Sequence, residues 1–283
     1  MMMLGEDFKK ARKAWLYPSE PMQLLWRCVG LTLLVFICWQ LLLALSEGLV
    51  FGFGFPESAK VAFDHMQSGG SWTPNLDSLP NAVMADLARA GIIALFPANL
   101  CTAFLALALV RFGLPHRAGK LPFHWPKISP LGWIFLVGGF VSATLIMFAI
   151  FGTAMGIDPQ KNLGLVEQVT MDMISNPRLF VLAVPGVVIG APIAEELMFR
   201  GALFAGIAQS RLGRVGAVVI TAGLWALLHG VSESLFSVAM IFLMGLALGA
   251  LLLRYGSIWV TIACHTAWNA SFVLIAYFSA NHT

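Results

Sequence analysis

The chain has 283 residues, of which 59% are hydrophobic and only 11% charged, with a formal net charge of +3. A soluble domain carries about 25% charged residues, so the composition excludes a soluble enzyme and predicts a polytopic membrane protein. The small positive balance, with its basic residues at segment ends, gives no reason to expect a nucleic-acid partner. Cys28, Cys38, Cys101 and Cys264 lie scattered in apolar runs, with neither the spacing of a metal cluster nor that of a disulfide framework.

A membrane span needs roughly 20 apolar residues. In chain order the candidates are 24–45, 92–110, 131–151, 179–209, 215–228, 235–253 and 258–278. That makes seven, or eight if the fourth is broken at Pro185 or Pro192. The first follows a tail with Lys9, Lys10, Arg12 and Lys13, and it exceeds the roughly 7–15 residues of a signal-peptide core, so it reads as an uncleaved span. Between the first two spans, residues 47–90 read as an external or membrane-surface segment, from their Gly-Phe-Gly-Phe start and Ser/Gly/Pro-rich middle. Residues 158–177 read as a short amphipathic external helix. Gly186 with Gly190, and Gly245 with Gly249, carry the four-residue spacing of close helix packing.

Lys and Arg favour the cytoplasmic loops of membrane proteins. Arg111, Arg117, Lys120 and Lys127 fall in one loop, Arg211 with Arg214 in another, and Arg254 in a third. The intervening loops are acidic or mixed. The alternation puts the N-terminus in the cytoplasm, with an integral protein of a bacterial inner membrane as the expected setting. The expected fold is an all-α bundle of seven to eight transmembrane helices around a polar intramembrane cavity. Residues 1–178 form its N-terminal spans, and 179–283 the part that carries the ionisable residues within spans.

The ionisable residues inside the spans direct attention to function, because charge in hydrocarbon costs several kcal/mol and needs a reason. The stretch Gly190-Ala-Pro-Ile-Ala-Glu195-Glu196-Leu-Met-Phe-Arg200-Gly201 holds two adjacent carboxylates and an arginine. On a helix Glu196 and Arg200 face each other, while Glu195 points about 100° away. One carboxylate is then neutralised and the other is left to face a different partner. His265 and Asn269 share a helix face four residues apart, and His229 ends the fifth span. At about 1.5 Å of rise per residue these groups reach comparable depths. A buried carboxylate beside a histidine suits water activation, and His with Asn suits an oxyanion. No intramembrane Ser dyad and no pair of aspartates in separate spans competes. The zinc motif H-E-x-x-H is absent, although His229, His265 and Glu195 could still be assembled into a zinc shell.

These residues resemble those of the CPBP family of intramembrane proteases, which includes the CAAX prenyl endopeptidases and the bacterial immunity-type proteins. Glu195-Glu196-x-x-x-Arg200 matches the first family motif and Trp225-x-x-x-His229 the second. The third is matched by Phe242-x-x-Gly245-x-x-x-Gly249, Gly256-Ser257 and His265-x-x-x-Asn269. The resemblance spans residues 179–279. It implies Glu195 as the base that works with His229 on water, and His265 with Asn269 as the oxyanion site. Glu196 and Arg200 enter as supporting catalytic residues. No cofactor is required on this reading, while zinc stays open. The implied partners are the lipid bilayer and a membrane-associated protein or peptide substrate. Two other classes remain: a non-enzymatic scaffold or immunity protein of the same fold, and an ion-coupled transporter using the paired glutamates, which would normally show two related halves.

Overall fold

The computed structural model of the protein describes residues 21–68, 79–113, 123, 125–156, 181, 184–229 and 234–281. Eight helices and no strand occur among them: α1 (Pro21–Gly54), α2 (Pro56–Ser68), α3 (Asn81–Gly113), α4 (Pro130–Ala154), α5, α6 (Gly213–His229), α7 (Leu235–Tyr255) and α8 (Ile258–Asn281). Helix α5 is one rod of four consecutive segments, Gly186–Gly190, Ala191–Glu195, Glu196–Leu203 and Phe204–Ala208. An all-helical answer follows from the solvent, because in hydrocarbon each backbone N–H and C=O must be satisfied within the protein. Five helices are long and apolar enough to cross a membrane, namely α1, α3, α4, α7 and α8. Helix α6 is apolar but has 17 residues, and α5 changes pitch along its length.

Helix α5 is the hub. Every residue from Glu196 to Ala208 is buried. Helices α1, α3, α6 and α8 pack against it, and the core they share takes in Leu24 and Cys28 of α1, Ala106 of α3, Trp225 of α6 and Cys264 of α8. Helix α4 lies at the periphery and turns Leu131, Ile134, Phe135, Ile146 and Ile150 outward, as a lipid-facing helix does. Local signals set the element ends. Ser129 accepts from the Gly132 N–H at 3.1 Å and Pro130 takes the first turn of α4. Gly256, at φ 63°, closes α7 with its N–H on the Leu252 carbonyl at 2.7 Å, and so turns the chain into α8.

The rod α5 passes through Pro192, one of the two prolines at which a break was expected, and Pro185 stands at its N-terminal boundary. Pro192 lacks an N–H, and its ring would crowd the carbonyl four residues back. The preceding segment Gly186–Gly190 relieves this by opening to π-helical pitch, and Ala191 N–H bonds the Gly186 carbonyl five residues back. The eighth span that a break would create is absent from the described residues. The segment 47–90 contains helix. Helix α1 continues to Gly54, α2 begins at once with Pro56 and Glu57 in its first turn, and α3 starts at Asn81. Proline at the start and an acidic first turn are helix-starting chemistry that the glycines nearby obscured. Ser58 Oγ donates to Asp86 at 2.7 Å and ties α2 to α3. The expected helix at 158–177 lies outside the described residues.

The small-residue pairs act as predicted. A Cβ on Gly186 would lie 2.8 Å from the Phe96 backbone, and one on Gly245 would lie 2.9 Å from Ala222 Cβ and 3.2 Å from the Trp225 ring. Gly138, on the outer helix α4, has nothing within 4 Å. Gly245→Val should therefore cost about 1–3 kcal/mol through overpacking. Gly138→Val should leave the detergent melting curve in place. Equal melting of the two variants would remove this account of the glycines.

Candidate active site

The charged residues of α5 fall at a change of pitch. Glu195 ends an α-helical segment and Glu196 opens the second π-helical one, which closes with Phe204 N–H on the Phe199 carbonyl. Such π turns re-aim side chains and are frequent at functional sites. Glu196 Oε1 accepts from Arg200 Nη1 at 3.1 Å and from His265 Nδ1 at 3.0 Å. The Glu196 and Arg200 side chains are both 0% exposed. A buried charge of this kind is tolerable only when paired, so the expected neutralisation is what the fold contains. Glu196 Oε2 and Arg200 Nε and Nη2 have no hydrogen-bond partner among the described residues.

Glu195 has a different surrounding. Its side chain keeps 12% exposure, and Oε2 lies 4.0 Å from His265 Nε2. Trp225 Nε1–H donates to the same oxygen at 2.6 Å. The Trp225 ring also carries the Arg200 guanidinium at 4.6 Å from its centroid, and packs edge-on against His265 at 5.2 Å and His229 at 5.4 Å. The indole thus touches four of the six residues singled out from sequence. Its place in the sequence motif gave no hint of that role. The available signal was a tryptophan N–H in an apolar span, which must find a buried partner.

Hydrogen bonds orient both imidazoles. His229 Nδ1 lies 2.8 Å from the Trp225 carbonyl. A carbonyl only accepts, so Nδ1 carries a proton. His265 likewise turns Nδ1 to Glu196 Oε1, and Nε2 faces Glu195. Asn269 diverges from expectation. Its Nδ2 donates to the Val187 carbonyl at 2.9 Å, so part of the carboxamide is spent on the backbone of α5. The structure therefore gathers Glu195, Glu196, Arg200, His265, Trp225 and His229 at one place and binds Asn269 to its wall.

Among the described residues no three His, Cys, Asp or Glu side chains converge as metal ligands. Glu196 is already shared between a guanidinium and an imidazole.

Residues 177–271 match the protein-family model described as type II CAAX prenyl endopeptidase Rce1-like. This segment belongs to the CAAX protease family. No curated protein and no solved structure matches the chain. The CAAX protease segment contains every site residue described above, and it leaves α1 to α4 outside the match. Family and apolar helices together make the chain an integral membrane protein with a CAAX protease-type enzyme segment.

Proposed function

We propose that the protein is an intramembrane endopeptidase that hydrolyses peptide bonds in a membrane-associated protein or peptide, with Glu195 as the base. The observation that carries this reading is the division of labour between adjacent carboxylates. Glu196 is fully buried and neutralised by Arg200, while Glu195 keeps partial exposure, 4.0 Å from His265 and bonded to the indole on which His229 packs. Glu195 takes a proton from water as the water oxygen attacks the scissile carbonyl carbon, and the carbonyl electrons move onto oxygen. His229 accepts a hydrogen bond from the water's other O–H, which stays on the attacking oxygen, and so orients the nucleophile. Collapse of the tetrahedral intermediate breaks the C–N bond, and the amine leaves with the proton held by Glu195. His265 serves the oxyanion only with a proton on Nε2 as well as Nδ1, because Nδ1–H is held by Glu196. Asn269 contributes through the N–H not bonded to Val187. The catalytic core is assigned to residues 179–283. The Lys and Arg distribution supports a cytoplasmic N-terminus in a bacterial inner membrane.

The test is cleavage of quenched fluorescent peptides, with and without a C-terminal prenylcysteine motif, by purified protein in detergent. Wild type and Glu195→Ala are compared with and without a strong zinc chelator. Cleavage lost on mutation and unaffected by the chelator is expected. Loss on chelation would overturn the metal-free reading. Failure of wild type to cleave either peptide, or cleavage by Glu195→Ala equal to wild type, would return the scaffold reading.

A further inference from the structure

The π-helical segment Gly186–Gly190, which ends five residues before Glu195, is gripped from two sides by carboxamides. Asn99 of α3 donates from Nδ2 to the Gly186 carbonyl at 3.2 Å, the same carbonyl that receives the Ala191 N–H. Asn269 of α8 donates to the next carbonyl, Val187. Asn99 is itself held, because Trp39 Nε1–H of α1 donates to its Oδ1 at 3.0 Å. Asn99 is 2% exposed. Contact there is close: a Cβ on Gly190 would lie 2.9 Å from Asn99 Cβ, and one on Gly186 would meet the Phe96 backbone at 2.8 Å.

A carboxamide in hydrocarbon needs its partners, and these bonds tie α1, α3 and α8 to α5 at one level. At this wide turn the Gly186 carbonyl accepts the Ala191 N–H and, on its second lone pair, the Asn99 amide, while the Val187 carbonyl faces Pro192, which has no N–H to give. The rotation of α5 at this turn decides which way Glu195 and Glu196 point. Asn99 and Trp39 lie outside residues 177–271, so the family match assigns them nothing.

We infer that Asn99, braced by Trp39, is a positioning residue that fixes the wide turn of α5 and thereby aims Glu195 at Trp225 and His265. The inference rests on the peptidase reading only for its catalytic consequence. It makes the N-terminal spans part of the working site, although none of their residues touches the reacting atoms. Trp39, Asn99 and the Gly186 carbonyl form a chain, so their effects do not add. Once Asn99 is gone, the Trp39 donor has nothing left to brace.

The experiment compares wild type, Asn99→Leu, Trp39→Phe, the double variant and Thr102→Val. Thr102 is buried on α3 and bonds only the Ala98 carbonyl of its own helix at 2.8 Å, which makes it the control. Amide hydrogen exchange is read by mass spectrometry in detergent, together with kcat and KM for peptide cleavage. Asn99→Leu should speed exchange in 186–195 about tenfold, with other helices unchanged. It should lower kcat about 10- to 100-fold at unaltered KM. Trp39→Phe should show a smaller effect of the same kind, and the double variant should match Asn99→Leu. Thr102→Val should match wild type. Exchange in 186–195 that stays at the wild-type rate, or that rises throughout the protein, overturns the inference. So does an additive double variant. Should wild type cleave no peptide, the peptidase reading fails while the exchange measurements still decide the positioning role.

Discussion

Arg200→Ala is expected to melt far below wild type in detergent and to be recovered in low yield. Both partners of the Glu196–Arg200 pair are fully buried, at 3.1 Å, and the guanidinium also covers the Trp225 ring. Removing one partner of such a pair costs about 3–5 kcal/mol, because the other charge remains desolvated and unpaired. Truncation also opens a cavity under the indole, which adds to the loss. The companion variant Glu196→Gln/Arg200→Met separates these causes. It removes both charges, retains an acceptor for His265 Nδ1–H and refills much of the volume. Replacing a buried pair by matched neutral groups is often close to neutral in stability. The double variant should therefore melt nearer to wild type than Arg200→Ala does. A well-expressed Arg200→Ala protein with wild-type melting and full activity would sink this account of the pair.

The pairing that makes this prediction was legible from spacing alone. Glu196 and Arg200 are four apart, and a charge placed between apolar runs has few ways to survive. The gathering of α5, α6 and α8 was also within reach, because depth in a bilayer is nearly a count of residues. What escaped the sequence was pitch. The four-residue rules assume 3.6 residues per turn, and α5 departs from that pitch on both sides of Ala191–Glu195. Hydropathy is blind to such a change, since a wide turn and a regular one are equally apolar. Pro192 was the visible trace, read as a possible break when the chain widens instead. The Ala191 N–H goes to Gly186 and Pro192 has no N–H, which leaves the Val187 carbonyl for Asn269, expected on the substrate side. Nothing in an isolated helical wheel would single out Asn99 and Trp39, which meet the same turn from other helices. The helix α2 was lost for a different reason: its glycine-rich flanks outweighed a clear Pro-Glu start.

Glu195→Gln is the complementary prediction, a large loss of rate with little loss of stability. The substitution keeps the shape of the side chain and an oxygen to accept the Trp225 N–H, now at 2.6 Å, so the packing around the indole survives. What disappears is the capacity to hold a proton between attack on the carbonyl and departure of the amine. General-base catalysis is worth about 100- to 10,000-fold, and kcat should fall by that factor while the melting temperature stays near wild type. Glu196→Gln alone should show the reverse balance, because it strands Arg200 as an unpaired buried cation and so lowers the melting temperature first. Trp225→Phe isolates the link between the two carboxylates. It preserves a ring under the guanidinium but removes the donor to Glu195, so kcat should drop about tenfold, the scale of one lost hydrogen bond of about 1.5 kcal/mol to a charged group. Adjacent residues of identical chemistry would then differ because one is sealed against Arg200 and the other is not. If Glu195→Gln and Glu196→Gln gave the same loss of rate and the same melting temperature, the two carboxylates would have to be treated as one shared acid, and the assignment of the base to Glu195 would fail.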